Sequence, residues 1–230
     1  MSTLSTDEYD VLIFDCYGTL VDWQTAISSY WQSVLTKHDA HVTDEFLLSF
    51  HAQWEPVEQN AGGLYRDVLK RVMNRLGDRL AFTPSAEELD GFVDSLANSR
   101  PFDDSIEAIE KLKEHFELAI VSNTDLNLLQ QTLNPFTVEF DYLCTADQTG
   151  AYKPTEEMMS QAMTLIGPDK RKLHVAQSLF HDIKPANDLS NDSVWINRDG
   201  DSGSNVWLSD AKPTWTYDDL QTFADEIIGD

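Results

Sequence analysis

The chain has 230 residues, enough for one substantial domain or a core with a modest insert, and 41% of them are apolar, as a globular fold requires. Its 16 Lys and Arg stand against 40 Asp and Glu, a formal charge of −24 that repels nucleic-acid phosphates and anionic lipid and sets both aside as partners. No apolar run approaches the roughly 18–20 residues of a membrane span. The first seven residues have neither the basic start nor the apolar core of a signal peptide. Two cysteines, Cys16 and Cys144, build no disulfide framework, so a cytoplasmic location is expected. The acidity reads either as a solvated surface or as adaptation to saline surroundings, where screening relieves self-repulsion. It also repels an anionic substrate at long range, so an acid-binding pocket has to supply its own donors.

In chain order, residues 11–14 are an apolar run that predicts a buried strand ending in a carboxylate, Asp15. Residues 22–99 then carry helical spacing over 26–37, 43–57, 65–76 and 85–97 with no strand-like run between. Thr43 before Phe46 and Leu47, and Ser85 three residues ahead of Glu88, read as helix starts. Pro101 turns Arg100 away from helix and marks a hinge. Beyond it, strand-like runs at 118–121, 143–145, 173–176 and 194–196 alternate with helical patterns at 105–115, 126–133, 156–165 and 183–189. That rhythm predicts an α/β fold: a Rossmann-like, doubly wound parallel sheet formed by 1–21 and 100–230, with 22–99 inserted as a helical cap subdomain. Residues 199–205 read as an exposed loop. Sites of such sheets lie beyond the carboxyl ends of the strands, where Asp15, Ser122 and Asp182 all fall.

Four motifs occur in order, each at a strand end: Asp15-Cys16-Tyr17-Gly18-Thr19, Ser122-Asn123-Thr124, Lys153-Pro154, and Gln177-Ser178-Leu179-Phe180-His181-Asp182. Together they resemble the haloacid dehalogenase superfamily, and within it the type II L-2-haloacid dehalogenase branch. The phosphatases of that superfamily, which use Mg²⁺, carry a second Asp where this chain has Tyr17 and another where it has Gln177. A hard cation needs several oxygen ligands, carboxylates among them. The resemblance therefore implies chemistry without a metal or other cofactor, on a bare carboxylate nucleophile.

Asp15 is the expected nucleophile, since a carboxylate can displace a leaving group from saturated carbon and leave an ester. Thr19 would orient it by a hydrogen bond, and Gly18 lets the backbone turn beneath it. Lys153 matches the superfamily lysine that keeps the nucleophile ionised and offsets developing charge. Asp182 would polarise water for attack on the ester, and His181 beside it could also serve. A lone His–Asp pair is a weak metal signal without further ligands. Ser122 and Asn123, at the start of a helix, read as an anion cradle; the resemblance implies that this segment binds the substrate carboxylate and that Asn123 helps receive the halide, with Ser178 positioning the carboxylates or the water. Tyr17 and Trp54 complete the expected substrate-binding set, and Trp23, Trp54 and Tyr65 could line an apolar pocket. Cys16 should point away from Asp15 as an inert buried thiol.

Two departures from the branch stand out. Its members carry an arginine in an early cap helix that receives the leaving halide, and residues 46–55 contain none; they also place a Tyr six residues after the lysine, where this chain has Met159. The expected activity is conversion of a short 2-haloalkanoic acid to the 2-hydroxy acid. A phosphatase, or a protein that keeps the fold without catalysis, are the competing readings. A small molecule is the expected partner, and a homodimer stays open.

Overall fold

The computed structural model describes residues 4–198 and 210–229. The 199–205 stretch and residues 1–3 lie outside them. The first apolar run is strand β1 (Val11–Phe14), every residue of it buried. A tight turn follows in which Cys16 O accepts from Leu20 N at 2.8 Å and Gly18 N donates to Val21 O at 2.9 Å. Gly18 has φ +96, a conformation that a side chain would strain. The turn ends in β2 (Val21–Asp22), which pairs antiparallel with β3 (Arg100–Pro101).

Between those two short strands lie four helices: α1 (Trp23–Lys37), α2 (Asp44–Asn60), α3 (Tyr65–Leu80) and α4 (Ala86–Ala97). Their starts follow local capping chemistry. Asp22 accepts from Thr25 N at 3.0 Å and Thr43 from Phe46 N at 3.2 Å. Ser85 and Glu88 form a reciprocal capping box. The helices share a core of their own, in which the ring of Trp31 stacks on Phe92 at 4.7 Å among Val68, Leu69 and Val72. Buried Glu58 ties α2 to α3 through Arg71, at 2.7 Å, and Arg75.

After β3 the chain runs through α5 (Ser105–Lys113), β4 (Glu117–Ser122), α6 (Leu126–Thr132), β5 (Tyr142–Thr145), the short α7 (Ala146–Thr149), α8 (Glu156–Ile166) and β6 (Lys172–Ala176). A π-helical turn, Leu179–Ile183, leads into α9 (Lys184–Asp188) and β7 (Asp192–Ile196). The described chain closes with β8 (Trp215–Tyr217) and α10 (Leu220–Ile228). The main sheet has the order β5-β4-β1-β6-β7-β8, parallel throughout. Strand alternation sorts β1 between two cores. Leu12 and Phe14 pack with Ala108, Ile109 and Phe223 of α5 and α10, whereas Val11 and Ile13 pack with Met158, Met159 and Ala162 of α8. Helices thus cover both faces, the doubly wound arrangement that the sequence predicts. Met159 belongs to this second core and is fully buried.

The helical pattern at 183–189 is present as α9, preceded by a π-helical turn in which Ser178 Oγ accepts from His181 N at 3.0 Å. The pattern at 126–133 is α6; Ser122 and Asn123 do not start that helix, whose first amide, Leu126 N, donates to Asp147 Oδ1 at 3.0 Å. Last, β8 and α10 extend the sheet and cover it beyond the final predicted strand. Among the described residues no helix is long and apolar enough to cross a membrane.

Candidate active site

The carboxyl ends of β1, β4 and β6 converge, and the side chains beyond them form one hydrogen-bonded unit. Asp15 leaves the tip of β1 and is 7% exposed. Its Oδ2 accepts from Thr19 Oγ1 at 2.9 Å, and its Oδ1 from Lys153 Nζ at 2.7 Å. Thr19 is held in turn: its Oγ1 accepts from Gln177 N at 2.9 Å, and its carbonyl accepts from Arg198 Nε and Nη2 at 3.0 and 2.8 Å. Arg198 lies over the ring of Phe102 and pairs with Asp104 at 3.0 Å.

Lys153 spends its three hydrogens on Asp15 Oδ1, Val121 O at 2.8 Å and Asp182 Oδ1 at 2.8 Å. The π-helical turn after β6 brings Asp182 back to meet it. His174, inside β6, places Nε2 2.9 Å from the same Oδ1. Asp182 Oδ2 is buried with no hydrogen-bond partner among the described residues, as is Ser122 Oγ.

One ammonium shared by two buried carboxylates divides their behaviour. Burial raises the pKa of Asp15, with Lys153 and Thr19 opposing and the charge of Asp182 adding. Burial acts on Asp182 in the same sense, but Lys153 and His174 outweigh it and hold that carboxyl at about 2. Burial works against the Lys153 ammonium too, yet its two carboxylates more than compensate and push its pKa up.

Above this floor is a chamber of about 430 Å³. Asp15, Tyr17, Ser122, Lys153, Ser178 and Asp182 line its lower side, joined by Asn123, Gln177 and His181. One face of α2 closes it from above with Glu45, Leu48, Ser49, Ala52 and Glu55, spaced three or four residues apart, and with His51 beside them. Trp23, Gln24, Tyr65 and Leu96 complete the wall.

The expected residues are brought together except for Trp54, and Asn123 is engaged otherwise than anticipated. Trp54 faces a separate groove with Arg75 4.2 Å over its ring, because α2 turns its next face toward α3. Trp23 and Tyr65 do reach the chamber. Asn123 is engaged with main chain: its Oδ1 accepts from Lys153 N at 2.6 Å and its Nδ2 donates to Lys153 O at 3.0 Å, so it fixes the lysine loop. Tyr17 contributes its ring, while its hydroxyl bonds Thr132 Oγ1 at 2.8 Å. Ser178 Oγ lies 3.2 Å from His181 Nδ1, and burial lowers the His181 pKa so that the ring is neutral near pH 7. Cys16 is fully buried, which pushes its thiol up. Sequence reasoning missed His174 and Arg198. A histidine out of phase with Leu173 and Val175 in an apolar strand was the available signal for the first; the second follows a strand with no motif.

A family model of haloacid dehalogenase-like hydrolases matches residues 9–176. The chain belongs to that family. A search of curated protein sequences returns no match. Among solved structures, an L-2-haloacid dehalogenase superposes with a TM-score of 0.81 at 20% identity, over 95% of this chain and 98% of the other. The L-2-haloacid dehalogenase of Xanthobacter autotrophicus gives 0.77 at 16% identity, over 94% and 97%, and one structure of it carries covalently bound chloropropionic acid. The HAD-hydrolase YfnB of Bacillus subtilis, bound to magnesium, gives 0.76 at 21% identity, over 97% and 100%. At these identities the likeness is one of fold.

Magnesium occurs in this family, but the donors here do not suit it. Among the described residues no three His, Cys, Asp or Glu side chains gather as a ligand group. The ammonium of Lys153 takes one oxygen from each of Asp15 and Asp182, and the Tyr17 hydroxyl is turned to Thr132.

Proposed function

We propose that this hydrolase works through a covalent ester on Asp15 and cleaves the carbon–halogen bond of a short 2-haloalkanoic acid without a metal ion. The observation that carries the reading is a buried carboxylate on the chamber floor, fixed by Thr19 and Lys153, with a second carboxylate on the same ammonium. The fold shared with L-2-haloacid dehalogenases, one of them carrying covalently bound chloropropionic acid, supports it by analogy.

An oxygen of Asp15 attacks the carbon that bears the halogen. The C–O bond forms as the carbon–halogen bond breaks, the halide leaves with the bonding pair, and the carbon inverts. Lys153 keeps Asp15 ionised against its burial. Water held at Asp182 Oδ2 then attacks the ester carbonyl, its proton passing to Asp182 or to neutral His181 and on to solvent. The Lys153 ammonium stabilises the resulting oxyanion. On collapse the ester C–O bond breaks, the departing 2-oxygen takes the remaining proton of the added water and leaves as the 2-hydroxy acid, and Asp15 is again a carboxylate, now holding one oxygen from water.

Single turnover in H₂¹⁸O should therefore put label on Asp15 in the native enzyme, and Asp15→Asn should fold yet release no halide. Label confined to the product of the first cycle would rule out the ester. Excess chelator should leave halide release unchanged; a chelator-sensitive activity on p-nitrophenyl phosphate restored by Mg²⁺ would favour a phosphatase instead.

A further inference from the structure

The chamber above Asp15 is acidic. Four carboxylates line it, Asp15, Asp182, Glu55 and Glu45, against the single ammonium of Lys153. That ammonium has no hydrogen left to offer, since Asp15, Asp182 and Val121 O take all three. His51 does not restore the balance: burial pushes its pKa down, leaving a neutral ring beside Trp23 and Trp31. Residues 199–209 contain no Lys or Arg that could supply the charge.

Glu55 is held in place and does not trail into solvent. Tyr65 donates to its Oε1 at 2.5 Å, and the side chain is 20% exposed. Its Oε2 stands 3.7 Å from His51 Nδ1, beyond hydrogen-bond reach, and keeps its capacity to accept. The rings of Tyr17, Trp23 and Tyr65 line the same chamber. Aromatic faces attract cations through their quadrupoles, most strongly where water is excluded. A fixed carboxylate in a chamber that aromatic residues also line is chemistry that holds an alkylammonium and repels a further carboxylate.

We infer that the substrate carries a cationic group, a protonated or quaternary amine a few bonds from the reacting carbon, and that Glu55 binds it with the ring faces of Tyr17, Trp23 and Tyr65. The inference rests on the reading of Asp15 as nucleophile and narrows the substrate to amino-bearing 2-haloalkanoates. Such a zwitterion brings its own counter-charge into the chamber, which the missing cap arginine would otherwise supply.

Binding of a halogen-free pair of isosteres tests this independently of turnover. The native protein should bind 4-(trimethylammonio)butanoate at least tenfold more tightly than 5,5-dimethylhexanoate by calorimetry, and Glu55→Gln, checked for an unchanged melting temperature, should erase the preference. Equal affinity, or preference for the neutral isostere, overturns the inference whatever the turnover result. A preference that survives in Glu55→Gln overturns the assignment to Glu55. Halide release from 2-chloro-4-(trimethylammonio)butanoate, whose quaternary nitrogen cannot cyclise onto C2, then addresses the chemistry. Glu55-dependent binding without halide release would support the cation site and sink dehalogenation.

Discussion

Lys153 is the residue on which both carboxylates depend. Replacing it by Met leaves Asp15 and Asp182 facing each other in the interior without a counter-charge, and breaking a buried pair in this way costs about 3–5 kcal/mol. The loss should be largest near neutral pH and partly recovered on acidification, as protons take the place of the ammonium; urea midpoints at pH 7.5 and 5 would show it. The native protein has the opposite slope from Asp182. That carboxyl is held at about 2, below its ordinary 3.8, so its contribution is complete above 3.8 and lost as pH falls through 2. Asp15, raised by burial, sets a different limit: the proposed mechanism needs its anion, so activity should climb with pH through a value above the ordinary 3.8. Thr19→Val removes one donor to that anion and should move the acidic limb of kcat/KM up by roughly 1–2 pH units, the equivalent of one hydrogen bond to a charged group. An unmoved limb would deny Thr19 its orienting role. Asp15, Thr19, Lys153 and Asp182 were legible in the sequence because each sits in a motif at or near a strand end. Glu55 and His174 were not, since a helix carboxylate and a strand histidine look like solvated face and core until the chain is folded.

At the scale of elements, the helix starts at Thr43 and Ser85 were readable because capping is local chemistry within four residues. The strands of the main sheet up to β7 were readable for a related reason: a strand buried on both faces shows as an unbroken apolar run. By contrast β8 is three residues long and only partly buried, and its place beside β7 is set by tertiary pairing. The end of α3 makes a sharper test. Gly77 lies inside that helix, where alanine is ordinarily better by up to about 1 kcal/mol. Here a Cβ would sit 2.6 Å from Phe82 O and 2.7 Å from Pro84 Cδ, atoms of a backbone and a ring that cannot step aside. Gly77→Ala should therefore destabilise by about 1–3 kcal/mol, as overpacking does, despite its better propensity. A raised melting temperature would mean that the 81–84 turn yields freely.

At the scale of the whole molecule the charge of −24 governs behaviour in salt. Raising ionic strength from 0.1 to 1 M shortens the screening length from about 10 to about 3 Å, which relieves repulsion among surface carboxylates but leaves the buried Asp15–Lys153–Asp182 unit nearly untouched. The melting temperature should rise over that range, and a fall would mean that surface ion pairs, such as Arg171 with Asp10, outweigh the repulsion. The same field acts on ligands at a distance: it draws in cations and slows anions. Association of the trimethylammonium probe should accordingly slow as salt is added.

The antiparallel pair of Val21–Asp22 with Arg100–Pro101 means that the chain leaves the sheet and returns to it at neighbouring points. Everything between them could be exchanged as one cassette without re-threading a strand. The carboxylates and lysine that would do the chemistry lie outside this cassette, while Glu55, Tyr65 and Trp23 lie inside it. A lineage could therefore change its diet by replacing one contiguous piece of gene and inherit its reaction intact.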